Sequence, residues 1–233
     1  TSARTVQPTA QWVQIDFLLS GARAALETRD AEMALRYLTE VEFARLEPTQ
    51  VSMYQLLQGR LAELEGHSDE ALDSYGQVIA ADIRPTRAEA VYRTLLLLDK
   101  EGRLDLDKAT ETLSAETLLW RGDRLEADMQ KLLAELYFRN KEYRNGFETA
   151  KQAASHHADN PAINGLLNQA QAVFADLYLN GRADELPDVE ALTLYYDFRQ
   201  LTPPGQRGDE MIRNLARRLV EVDLLTQAGD LLE

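Results

Sequence analysis

The sequence predicts an all-α protein built as an array of antiparallel helix pairs, and three observations carry that reading. Small residues recur at Ala34, Ala71, Ala109 and Gly146, with spacings of 37, 38 and 37. Each is flanked at fixed offsets, twelve residues earlier by Ala22, Gly59, Leu97 and Ala134, and four residues later by Leu38, Tyr75, Leu113 and Ala150. No segment alternates apolar and polar residues with period two over a useful length, so no strand is expected. A period near 37 is the mark of a stacked array in which each unit buries its apolar face against its neighbours.

The spacing has a steric cause. Two helices of a hairpin cross closely only where side chains are small, and large residues one turn later fill the space beside the crossing. Helices are expected over 10–28, 31–45, 50–65, 69–82, 87–101, 106–119, 124–139, 142–157, 161–180, 188–201, 209–222 and from 224 onward. Pro48, Pro85 and Pro161 follow the small residue by 14, 14 and 15 positions and restart the chain, with Asp123 standing at that place in the third unit. Thr86-x-x-Glu89 and Asp123-x-x-Glu126 have the form of capping boxes. Asn160 precedes a proline at a first helical position, Asn180-Gly181 reads as a left-handed stop, and Asp209 reads as an N-cap after the turn-rich 203–208. These elements group into four pairs over 1–160, an irregular pair over 161–207 with a connection holding Gly181 and Pro187, and a truncated unit over 208–233: about six hairpins.

Composition removes several function classes. Lys and Arg number 25 against 39 Asp and Glu, a formal charge of −14. Binding to a phosphate backbone rests on neutralisation by Lys and Arg, so nucleic acid is a poor partner, and an anionic membrane surface is disfavoured in the same way. No run approaches the ~20 apolar residues that cross a bilayer. The chain has no cysteine, which removes disulfides, thiol nucleophiles and cysteine metal sites. It begins Thr1-Ser2-Ala3-Arg4 without methionine or an apolar leader, and it is read as a piece of a longer polypeptide, with cytoplasmic and periplasmic locations both open.

Candidate chemistry is sparse. His67 falls in a turn, and His156-His157 closes a helix, where adjacent side chains diverge by about 100° and do not share one ion easily. Acid–base work needs paired carboxylates held in a cleft, but in a chain this acidic Asp69-Glu70 and Glu40/Glu42 read as solvated faces. Gly-x-Ser-x-Gly, the phosphate-binding Gly-x-x-x-x-Gly-Lys pattern and His-Glu-x-x-His are all missing from the sequence. No catalytic residue, cofactor or metal is assigned. Tyr195-Tyr196-Asp197-Phe198 places adjacent aromatics on one helix, which cannot all face a single core stripe.

Gly59, Gly66, Ala71 and Tyr75, with Leu57–Ala62 as the preceding helix, resemble the tetratricopeptide (TPR) pattern in their mutual spacing. Ala134, Tyr137, Tyr143, Gly146, Ala150 and Ala153 form a second match. Residues 15–48 and 90–122 are weaker units held by the period, Ala216, Leu219, Ala228 and Leu232 fit a further one, and 161–201 departs from the pattern. The resemblance implies a right-handed superhelical solenoid and a non-catalytic protein–protein interaction scaffold, here a segment of a larger, bacterial TPR protein. The alternative is a structural spacer or self-assembly segment packing against the rest of its own chain. The expected partner is a protein or peptide, and self-association through the truncated C-terminal helix is a further expectation.

In TPR proteins the first helix of each pair lines the concave surface, and the residue after the small contact residue points into it. The resemblance places Arg23, Arg60, Leu98, Glu135 and Arg217 there, with Leu19, Leu56, Thr94, Lys131 and Arg213 one turn earlier. Arg23, Arg60, Leu19, Leu56 and Lys131 are the candidate partner-binding residues. Arg23 and Arg60, 37 residues apart, are expected to grip a carboxylate on the partner. The alternative pairs each with an acidic neighbour such as Glu27, Glu63 or Glu65. The asparagines that accompany lysine in the family's carboxylate clamp are lacking, which argues against a chaperone-tail clamp.

Overall fold

The computed structural model describes residues 7–120, 124–156 and 160–232. Twelve α-helices occur among them: α1 (Gln7–Glu27), α2 (Ala31–Thr39), α3 (Pro48–Glu65), α4 (Ser68–Ala81), α5 (Thr86–Lys100), α6 (Leu106–Leu119), α7 (Arg124–Arg139), α8 (Tyr143–His156), α9 (Pro161–Leu179), α10 (Asp188–Phe198), α11 (Gln206–Glu221) and α12 (Leu225–Leu232). Short 3₁₀ turns lie at Phe43–Arg45, Arg182–Glu185 and Arg199–Leu201, and no strand occurs among the described residues. The chain forms two compact units, residues 1–121 and 122–233.

The small residues do the work expected of them. Ala22, Ala34, Ala71, Ala134 and Ala153 are fully buried. At Gly59 a β-carbon would lie 2.6 Å from the Tyr75 ring, so the glycine of α3 makes room for the aromatic of α4. The second unit reverses the roles: the Phe138 ring of α7 lies on Gly146 of α8, in the space a β-carbon would need. In the first unit, Leu18, Ala22, Leu38, Leu57 and Leu61 join α1, α2 and α3, and Leu56, Ala71, Tyr75, Val78 and Leu97 join α3, α4 and α5. The second unit is held by an aromatic chain from Phe138 through Phe147 (5.1 Å between centroids) to Phe174 (5.5 Å) and Phe198 (5.2 Å). Tyr178 and Tyr195 extend it at 5.6 Å. Burial, with the neighbouring Tyr195, pushes the Tyr178 phenol above its ordinary pKa, and its hydroxyl donates to Ala191 O at 2.8 Å. Of the adjacent tyrosines, Tyr195 is buried and Tyr196 is 39% exposed.

Three expectations are corrected. The second helix ends at Thr39 and not at 45, because buried Val41 turns the chain back and Phe43 packs edge-on to Tyr54 at 5.5 Å. Thr86 and Glu89 do not close a capping box. Thr86 Oγ1 donates to Ile83 O at 2.7 Å, and the Glu89 carboxylate is taken by arginines. The helix expected from Asp209 begins at Gln206 behind Gly205, and a β-carbon on Gly208 would strike the Pro203 carbonyl. Asp123 and His157 lie outside the described residues.

The turns share one conformation. Arg29 (φ 61°), Gly66 (φ 84°), Gly102 (φ 66°) and Lys141 (φ 63°) follow α1, α3, α5 and α7, and Asp223 (φ 62°) follows α11. This is the left-handed residue that ends a helix and lets the next run back antiparallel. Only two of the five are glycine.

Candidate partner-binding surfaces

The predicted arginines meet around one carboxylate. In the first unit α1, α3 and α5, the first helices of three successive pairs, contribute Arg23, Arg60 and the pair Glu89 and Arg93. Arg23 Nη2 donates to Glu89 Oε2 at 2.5 Å across 66 positions of chain. Arg60 Nη1 lies 3.3 Å from Glu89 Oε1, and Arg93 Nε donates to the same oxygen at 3.0 Å. Arg93 also reaches Glu63 Oε2 at 3.4 Å, where the Tyr75 hydroxyl donates at 2.5 Å. Arg23 contacts Glu27 at 3.9 Å. Three guanidinium groups thus face Glu89, Glu63 and Glu27, and the charges balance. The carboxylate anticipated between Arg23 and Arg60 is supplied by the chain itself.

The protonation energetics separate the members of this cluster. Burial and the adjacent Arg93 hold the Arg60 guanidinium below its ordinary pKa. Burial, the largest influence, also opposes the Arg93 charge, but Glu89, Tyr75 and Glu63 together outweigh it and Arg93 is held above its ordinary value. Arg60 is 8% exposed and ties α3 to α5, while the Arg23 side chain keeps 39% of its surface in solvent.

Leu19 and Leu56 are 5% and 0% exposed and belong to the core. Their assignment to a partner surface is corrected: one turn back along the helix lies the stripe that packs on neighbouring helices. In the second unit Lys131 is solvent-reaching, 42% exposed in its side chain, with its ammonium 3.9 Å from Glu135.

A cavity of about 500 Å³ opens in the second unit between the C-terminal halves of α9 and α11, closed at one end by the 182–185 turn. Buried Leu177, Tyr178 and Leu215 form its floor. Arg218 builds one wall. Its guanidinium is 2.7 Å from Asp188 Oδ1, donates to Leu186 O at 2.5 Å and to Ala183 O, and sits 3.7 Å from Asp184. Asn214 Nδ2 donates to Tyr178 O at 3.2 Å and secures the end of α9. Arg217, Glu221 and Val222 stand exposed on the rim. Arg217 makes no ion pair or hydrogen bond among the described residues. Arg23, Arg60, Arg93 and Arg218, by contrast, are each engaged within the chain. The resemblance had pointed Arg217 at the groove, but only the structure distinguishes it from Arg23 and Arg60, whose partner is 66 and 29 positions away.

No group of three or more His, Asp or Glu is placed to hold a metal ion among the described residues. No helix of the described residues is long and apolar enough to cross a membrane. His67 ends up beside Glu65 at 3.8 Å in the turn before α4.

No protein-family model matches the chain, and no curated protein sequence matches it. Among solved structures, the chain is similar to the nearly identical TPR-like repeats of a putative kinesin light chain from Podosopora anserina and to a single-substitution variant of the same protein. Each has a TM-score of 0.54 at 17% identity; the matches cover 84% and 85% of this chain and 97% of each of those. It also aligns with NprR in complex with its cognate peptide NprX, with a TM-score of 0.44, 16% identity, 94% of this chain and 65% of that one. The apo form of NprR, the quorum sensor from B. thuringiensis, gives 0.44 and 16% over 92% and 62%. The kinesin light chain likeness, together with the helix order and the crossings at small residues, establishes a TPR-like helical repeat fold.

Proposed function

We propose that this chain is a non-catalytic protein-interaction scaffold that takes a short peptide segment into the cavity between α9 and α11. The observation that carries the reading is Arg217, an exposed guanidinium without a partner among the described residues, on the rim of a 500 Å³ cavity. That volume lies within the range of ligand clefts. The segment carries one carboxylate for Arg217, which a guanidinium engages through two parallel hydrogen bonds. Glu221 and exposed Asp184 line the same cavity, and the chain carries −14 overall. A polyacidic segment is repelled, so the acidic group is flanked by neutral residues.

The test is fluorescence anisotropy with labelled short peptides carrying a single Asp or Glu. Arg217→Ala weakens binding by about tenfold or more, as expected for loss of a charge-assisted bidentate contact, and Arg217→Lys falls between. Arg213→Ala, an exposed position one turn earlier that does not line the cavity, leaves affinity unchanged. Binders indifferent to Arg217→Ala would refute the assignment.

Arg23 and Lys131 remain proposals for partner contact, with Arg23 engaging a partner carboxylate only in exchange for Glu89. Self-association through α12 is favoured by Leu225, 59% exposed, beside Val220 and Val222 at 53% and 40%. Sedimentation of the Leu225→Gln variant tests it, a concentration-dependent dimer in the wild type alone being the supporting result.

A further inference from the structure

We propose that the groove between α2 and α4, floored by α3, docks a short cationic amphipathic segment of another protein. The groove exists because α2 is short. The nine residues of α2 stop at Thr39, whereas α4 has fourteen, so α2 covers less of the outer flank of α3 than α4 does. The result is a cavity of about 300 Å³ lined from α2 by Leu35, Leu38 and Thr39, from α3 by Tyr54, Gln58, Leu61, Ala62 and Glu65, and from α4 by Glu70 and Ser74.

The lining is divided by chemistry. Leu35, 48% exposed, stands over a floor of buried Leu38, Leu61 and Ala62. At the Tyr54 end, Phe43 outside the lining is 52% exposed and edge-on to the Tyr54 ring at 5.5 Å. The other end is acidic. Glu65 and Glu70 are both exposed, and they are the only charged residues in the lining. The cations nearest along α2 and its exit turn, Arg36 and Arg45, pair with Glu32 and Glu42 and do not line the groove.

This division fixes the occupant. An apolar side chain belongs on Leu35 and Leu61, an aromatic or large aliphatic one belongs by Tyr54 and Phe43, and a Lys or Arg belongs at the Glu65–Glu70 end. Tyr54 and Glu65 are eleven positions apart on α3, about 16 Å of helix rise. A helical ligand therefore places its cation about eleven residues from its apolar anchor, and an extended one about five. The sign is opposite to that of the α9–α11 cavity, where the unpartnered group is an arginine. The two surfaces select different segments.

The probe is a labelled helical peptide about fourteen residues long, with a Phe at one end, Leu on one face and paired Lys about eleven positions from the Phe. A second peptide carries Glu in place of Lys. Anisotropy titrations are run at low and moderate salt on the wild type, Glu65→Gln/Glu70→Gln, Leu35→Arg and Arg217→Ala, all at exposed positions and each checked for helix content. The basic peptide binds about tenfold tighter than the acidic one. Its affinity falls about tenfold, with a flattened salt dependence, in the double glutamine variant. It falls again in Leu35→Arg and is unchanged in Arg217→Ala, so the result stands apart from the fate of the α9–α11 reading. Equal binding of the two peptides, affinity unchanged in the double variant, or no binding near 1 mM overturns the proposal. A wild-type dimer abolished by Leu35→Arg also overturns it, by assigning the groove to a second copy of the chain.

Discussion

Replacing Gly59 by alanine tests the packing rule on which the repeat rests. Alanine in place of glycine inside a helix gains roughly 1 kcal/mol from backbone entropy and propensity. At Gly59 the new β-carbon lies 2.6 Å from Tyr75 Cε1 and 2.8 Å from Cδ1, about 1 Å inside normal carbon contact. The ring has nowhere to go. Tyr75 is 0% exposed, and its hydroxyl donates to Glu63 at 2.5 Å. Overpacking of this kind costs about 1–3 kcal/mol, and a weakened hydrogen bond to a carboxylate about 1 kcal/mol more. The net expectation is a loss of roughly 1–3 kcal/mol. Gly76, within α4, is the control: it is exposed and a β-carbon there meets nothing within 4 Å. Gly76→Ala is expected to gain roughly 0.5–1 kcal/mol. Urea denaturation followed by circular dichroism compares the two at constant slope. If both substitutions shift the midpoint the same way, the account of the crossing is wrong.

Other outcomes follow from single features. Glu89→Gln removes the carboxylate that three arginines share and leaves 8%-exposed Arg60 poorly compensated; the expected loss is about 3 kcal/mol by denaturation, and a loss under about 0.5 kcal/mol would reduce the cluster to an ordinary surface pairing. Arg29→Gly relieves a non-glycine residue at φ 61° and is expected to stabilise by roughly 0.5–1 kcal/mol, with no gain contradicting the assigned turn. The Lys141 ammonium donates to Glu185 at 2.6 Å, holding that carboxyl below and itself above the ordinary values of 4.5 and 10.5. A lowered acid contributes above its unfolded value and fades as pH falls through the folded one, and a raised base contributes below its unfolded value and fades as pH rises through the folded one. The pair is therefore at full strength between those two values. The carboxyl titration of Glu185 by NMR should move upward in Lys141→Met, and an unmoved midpoint would dismiss the pair.

The fold was legible because its steric rule is local and periodic. Ala34, Ala71 and Gly146 sit at close helix crossings, and a spacing near 37 residues states this without long-range information. Helix ends were less legible where the decisive contact lay elsewhere. Val41 and Phe43 look like a continuation of α2, and only their packing on the neighbouring helix shows that they leave it. The left-handed turn residue is not legible in the sequence where Arg29, Lys141 and Asp223 occupy the place that glycine would mark. The candidate site was half legible. Counting from the small residue pointed Arg23, Arg60 and Arg217 in equivalent directions, but whether an arginine meets a glutamate 66 positions away is settled by stacking geometry. Leu19 and Leu56 failed for a related reason: four positions back along the helix is about 40° of rotation, and there both side chains pack on neighbouring helices and not toward a partner.

The most direct test of the scaffold reading maps where a bound peptide sits. The backbone amides of isotopically labelled protein are followed by NMR during titration with the tightest single-carboxylate peptide. The account predicts shifts concentrated at Gly181, Ala183, Asn214, Arg217 and Glu221, with the amides around Arg60 and Glu89 unmoved. Shifts confined to α1, α3 and α5, with the α9–α11 cavity silent, would contradict it.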